Sequence, residues 1–220
     1  MTSIVKTDPK LSYSHSTSTL NFKQCTIRDL LFDVSEKFPN NVVFIFKSNE
    51  LRLTLKEVRD KSFLLAQNLL ALGLSRGDRV IVLIPNTPEF IIIHYAAALI
   101  GLVTIPINPA SSIIDIEYVI KKTRPNLIFI ENSIDYHNMN QYLLPEIYQL
   151  DKLKFRSNNF TNLKHVVAIN DTNFENKNLA IGCWSYEELN RYFNEMEQEL
   201  PYIEADDDFT IWLTVFSNKI

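Results

Sequence analysis

One uninterrupted run constrains the fold more than any other: Arg76 to Pro109, RGDRVIVLIPNTPEFIIIHYAAALIGLVTIPINP. Arg79 to Ile84 is rich in Val and Ile and is bounded by Gly77-Asp78 and Pro85-Asn86, the pattern of a strand buried on both faces. Thr87 is a helix-capping residue type, Pro88 suits the first helical position and Glu89 favours the positive end of the helix dipole. Phe90 to Leu99 has almost no polar face, so the helix it forms must be covered on most sides. Gly101 ends that helix, and Leu102 to Ile107 reads as a second strand. A strand, a crossover helix and a strand predict a parallel, right-handed connection and therefore an α/β domain.

At 220 residues the chain is long enough for one good core and marginal for two. The net charge of −4, with basic residues scattered along the chain, argues against nucleic acid or an anionic membrane as the main partner. The apolar stretch from Phe90 to Ile107 raises a membrane-spanning alternative. His94, Gly101, Thr104 and Pro106 interrupt it, and a buried helix followed by a buried strand explains the same residues, so no transmembrane segment is expected. Cys25 and Cys183 are far apart with no His at metal-ligand spacing, and read as buried or neutral thiols in a reducing compartment. Residues 1–22 lack both the apolar core of a signal peptide and the Arg-rich amphipathic pattern of a presequence, and are expected to form a mobile arm.

Around the central unit, Thr26-Ile-Arg-Asp29 resembles a capping box, followed by Ile27, Leu30, Leu31, Val34 and Phe38 at helical spacing, with Pro39 as the stop. Val42–Lys47 and Leu51–Leu55 predict a hairpin. Thr54-Leu-Lys-Glu57 opens a second helix with Leu55, Val58, Leu65, Leu69 and Leu72 on one face and Gly73 as its left-handed cap. Ser112 caps a further helix that Pro125 closes. Asn126–Ile130 and Leu163–Ile169 have strand character, a helix is expected from Asp135 through Tyr148, and Ser185-Tyr-Glu-Glu188 starts an acidic helix. Phe209–Val215 reads as a last short strand, and Asp206-Asp207-Asp208 before it as a solvated turn in preference to a metal cluster.

The residues alone assign no chemistry. The four glycines, Gly73, Gly77, Gly101 and Gly182, form neither GxGxxG nor GxxxxGK[ST]. No GxSxG elbow and no placed carboxylate pair occurs. Of His15, His94, His137 and His165, His94 alone is expected to be buried, as a satisfied core residue in preference to a catalytic base. No catalytic, cofactor-binding or metal-ligating residue is therefore named.

Taken together, the hairpin entering a T-x-x-E helix, ALG-x-x-x-GDRV, PN-x-x-EF, AA-x-x-x-G, x-NP and IEYV-x-x-K, in this order and spacing, resemble the opening part of the adenylate-forming acyl-CoA synthetases. Leu11-Ser-Tyr-Ser-His-Ser-Thr-Ser and FRSNNFTNLKHVVAIND resemble its medium-chain members, and the likeness runs from about Leu11 to Thr214. It implies an α/β fold that is the amino-terminal part of the large domain, a mostly parallel sheet flanked by helices with an amino-terminal β-hairpin. It also implies that residues 23–214 form a partial AMP-binding domain and that Thr214 stands where the family's phosphate loop, near T-S-G-T-T-G-x-P-K-G, begins. Val215–Ile220 do not fit that loop and form a divergent tail.

The resemblance implies a full-length enzyme that uses ATP and magnesium to convert a fatty acid to an acyl-adenylate and then passes the acyl group to coenzyme A. The present residues lack the phosphate loop and catalytic Lys, so this chain alone is expected to be inactive and to hold none of these cofactors. The alternative is a non-catalytic module that binds a full-length synthetase or another partner. Self-association through the exposed sheet edge is a further expectation. The compartment is cytoplasmic or mitochondrial, the medium-chain relative being mitochondrial.

Overall fold

A computed structural model describes residues 24–47, 50–132, 134–170, 179–192 and 199–212. The expected arm at 1–22, Thr214 and the tail at 215–220 lie outside the described residues. The elements run α1 (Ile27–Lys37), β1 (Val42–Phe46), β2 (Leu51–Thr54), α2 (Leu55–Ala71), β3 (Arg79–Leu83), α3 (Pro88–Ile100), β4 (Val103–Pro106), α4 (Ile113–Thr123), β5 (Leu127–Asn132), α5 (Ile134–Leu143), β6 (His165–Asn170), β7 (Cys183–Ser185) and α6 (Tyr186–Tyr192). β1 and β2 pair antiparallel, and the other five strands form a parallel sheet in the order β4-β3-β5-β6-β7.

Two cores cover the two faces of that sheet. Because strand side chains alternate, Val80, Val82, Leu127, Phe129 and Val167 enter one core with α1, α2, α3 and α6. Ile81, Leu83, Ile128, Ile130 and Val166 enter the other with α4 and α5. The chain is therefore doubly wound, with helices on both faces, as the Arg76–Pro109 run predicts. α3 explains its missing polar face: Ile92, Ile93 and Ala96 through Ile100 are all buried.

Local signals set most boundaries. Thr26 and Asp29 form a complete capping box on α1, and Thr54 and Glu57 form another on α2. Gly101 closes α3 in the left-handed conformation at φ 71°, where a side chain would meet Arg76 Cγ at 2.9 Å and Ile203 Cγ2 at 3.0 Å. Thr87 caps α3 by position, but its side chain makes no capping bond.

Several expectations are corrected. Leu30 and Phe38 stay about half exposed, because α1 touches the core mainly through Leu31. α5 stops at Leu143, and Pro145 opens a separate 3-10 turn that runs to Tyr148, since proline cannot donate within a continuing helix. β7 is a short additional strand that carries no sequence signal of its own. The strand expected over Phe209–Val215 is reduced, within its described part, to one parallel bridge, Thr210 to Thr104. Thr104 N–H donates to Phe209 O (3.0 Å) and Ile211 N–H to Thr104 O (2.9 Å); the next donor in that register would be Pro106, which has no N–H.

Candidate functional site

In an open doubly wound sheet, ligands bind beyond the carboxyl ends of the strands, where successive connections leave in opposite directions. Here β3 connects to β4 on one side and β5 continues the sheet on the other, so that point lies between the ends of β3 and β5. Pro85-Asn86-Thr87 leaves β3 there and Asn132 ends β5. The backbone thus supplies the amino end of α3 at that point.

The described segment from Glu199 to Trp212 enters at the opposite, amino end of the strands, where Asp207 and Ile211 stand beside Arg76, Gly77 and Gly101. Arg28, rooted on α1, donates to Pro201 O at 2.8 Å and to the helix-terminal carbonyl of Leu99. Burial lowers the pKa of that guanidinium. Arg76 then ion-pairs with Asp207 at 2.5 Å and Glu204 at 3.3 Å, and lies 5.8 Å from the centre of the Tyr202 ring. The bond from Arg76 holds the Asp207 carboxyl below the usual carboxylate range. Asp207 also accepts from Glu204 N–H at 3.0 Å. The acidic triplet is therefore not a uniformly solvated turn, since its middle residue is an anchor. After these two straps, the pairing of Thr210 with Thr104 runs parallel to β4, so Trp212 heads toward its carboxyl end.

The other residues weighed from the sequence take structural places. The Nδ1–H of His94 donates to Phe90 O at 2.9 Å, and its ring packs 4.3 Å from that of Phe90 and 6.3 Å from that of Phe209. Burial lowers its pKa, which suits a neutral imidazole wedged against the returning segment. Neither is fully buried: His94 is half-buried and so is His165, at the start of β6, which is pushed down to about 4 by its partial burial and by the nearby Arg156 and Lys164, and whose Nδ1 has no partner. Both cysteines are free thiols, Cys183 buried and Cys25 half-buried. His137 and Thr214 fall where no side chain is described. Arg28 and Arg76 are what sequence reading missed, because their partners lie 173 and 131 positions away.

ATP and magnesium do not fit the described residues by themselves. Gly73, Gly77 and Gly101 occupy single turns at positive φ and form no phosphate cradle, and no group of three metal-ligating side chains gathers among the described residues. What the geometry offers is the scaffold of a site and the strand-like approach to it.

Residues 31–200 match the family of the AMP-binding enzyme. The chain belongs to that family. A medium-chain acyl-CoA ligase ACSF2, mitochondrial, of Danio rerio is 27% identical over 164 residues, covering 73% of this chain and 27% of the relative. The Homo sapiens protein of the same name is 23% identical over 162 residues, 72% of this chain and 26% of the relative. The chain thus spans about a quarter of the length of these relatives. Among solved structures, a long-chain-fatty-acid CoA ligase from Rhodopseudomonas palustris superposes with a TM-score of 0.67 at 22% identity, over 85% of this chain and 41% of that one. A fatty acyl CoA synthetase from Mycobacterium tuberculosis gives 0.64 at 18% identity, over 86% and 32%. At these identities the structural likeness is one of fold. The acyl-CoA ligase role belongs to these relatives; what this chain shares with them is the AMP-binding family and its fold.

Proposed function

We propose that these residues are the amino-terminal scaffold of a medium-chain fatty acid–CoA ligase, and that a polypeptide of residues 1–220 alone forms no acyl-adenylate. The observation that carries this reading is the strapped segment from Glu199 to Trp212, paired in parallel with β4 and directed to the face where an α/β sheet binds ligands. The names of the relatives in Danio rerio and Homo sapiens favour a medium-chain fatty acid as the substrate and the mitochondrion over the cytoplasm. In a full-length enzyme, ATP and magnesium would supply the activation of the carboxylate, and coenzyme A would accept the acyl group.

A transcript that joins the codon of Thr214 to an S-G-T-T-G reading frame supports the ligase; transcripts that all stop after Ile220 remove it. The second reading is a non-catalytic module that binds a full-length synthetase. It is favoured by the exposed aromatic rings of Tyr202 and Trp212 on the returning segment. Co-purification of residues 1–220 with a full-length synthetase supports the module, and sedimentation as a monomer with no partner counts against it and against self-association. A reporter fused to residues 1–30 tests the compartment.

A further inference from the structure

The fold gathers basic residues that are scattered in the sequence. At the amino end of the sheet, opposite the face reached by Trp212, stand Arg79, Lys121, Lys122, Arg124 and, through the Lys164 N–H bond to Asn126 O, Lys164. A groove of about 320 Å³ opens there between the carboxyl end of α4 and the loop Asn159–Asn162. Its floor is the buried Ile120, Pro125 and Phe160, and its rim is polar: Lys121, Arg124, Asn159, Thr161 and Asn162.

Three features single out Arg124 on that rim. It occupies the left-handed region at φ 49°, the capping position that glycine usually fills, so the chain keeps a cation where a smaller residue would be less strained. Its guanidinium makes no hydrogen bond or ion pair among the described residues, whereas Lys121 is taken up by Glu117 at 2.5 Å. The negative end of α4 does not hold it either, because Arg79 Nη1 already donates to Thr123 O at 2.8 Å and counters those carbonyls. The result is a free planar fork over an apolar floor, faced by two side-chain amides and a hydroxyl that can donate to the same group.

We propose that this groove is an oxyanion site for the phosphate of a small soluble ligand, with Arg124 as its main contact. A guanidinium presents paired donors that match phosphate geometry, and the Asn159, Thr161 and Asn162 donors suit an anion with several acceptor oxygens better than a carboxylate with two. The site is independent of the ligase reading, since it uses none of the segment from Glu199 to Trp212.

The test is NMR titration of the full 220-residue chain with inorganic phosphate, and separately with acetate, at constant ionic strength. Phosphate is expected to shift the Arg124 Nε–H and the side-chain amides of Asn159 and Asn162, and acetate to shift them less. Arg124→Gly is expected to weaken phosphate binding about tenfold or more, the loss of a charge-assisted bond, while Tm stays level or rises because glycine relaxes φ. Equal shifts with acetate, no shifts at these groups, or undiminished phosphate binding by R124G would each overturn the proposal.

Discussion

Gly101→Ala should loosen the whole approach to the carboxyl face, and the structure sets the size of the effect. A Cβ at this position enters the left-handed region at φ 71° and lies 2.9 Å from Arg76 Cγ and 3.0 Å from Ile203 Cγ2. The backbone conformation costs an L-residue about 1–2 kcal/mol. The two contacts force Arg76 or Ile203 aside, and overpacking of this kind costs about 1–3 kcal/mol, less where a side chain can swing away. A total of about 2–5 kcal/mol corresponds to a fall in Tm of about 4–20 °C for a domain of this size. The distinctive consequence is local. Arg76 carries the ion pairs to Asp207 and Glu204, so its displacement should raise hydrogen exchange at Thr104 and Ile211, whose amides make the bridge to and from the returning segment. Thermal unfolding followed by circular dichroism and exchange read by NMR measure the two effects. An unchanged Tm with unchanged protection at both amides would refute the close-packed role assigned to Gly101.

Other perturbations test separate parts of the structure. His165 is held at about 4 against an ordinary value near 6.5, so the unfolded chain takes up a proton first as pH falls. Its contribution is intact above about pH 6.5 and lost progressively toward pH 4, at most about 3 kcal/mol and about 2 kcal/mol after allowance for its partial exposure. Urea midpoints at pH 7 and 4.5 should therefore fall further for the native chain than for His165→Gln, and an equal fall would contradict this. Thr54→Ala removes a complete capping box and should cost about 1 kcal/mol in urea unfolding; an unchanged midpoint would contradict the assignment. Burial pushes the Cys183 thiol up to about 12, so Ellman's reagent should react with Cys25 alone in the native chain and with both thiols in urea. Reaction of both without denaturant would show that the β7 region opens.

The parts of the fold that were legible in the sequence are those decided by neighbours along the chain. The Val/Ile run of β3, the featureless α3, the capping boxes at Thr26 and Thr54 and the stop at Gly101 are short-range signals, and the structure keeps each of them. Errors arose where distant residues decide. Leu30 and Phe38 match a helical stripe but find no element to cover them, and Phe209–Ile211 look like strand until Pro106 withholds the donor that would extend the pairing. The lowered pKa of the half-buried His165 depends on Arg156, Lys164 and the end of α2 coming near it. The family could be recognised because its motifs are local turns and helix starts, whereas the straps at Arg28 and Arg76 join residues 173 and 131 positions apart. They can be seen only once it is folded.

Octanoate-dependent exchange of pyrophosphate into ATP, measured on purified residues 1–220 with magnesium present, bears most directly on the claim that these residues are scaffold whose chemistry lies beyond Trp212. No exchange above the background without fatty acid is expected at any octanoate concentration. Exchange that saturates with octanoate would contradict the claim, because acyl-adenylate would then be forming without a glycine-rich phosphate loop.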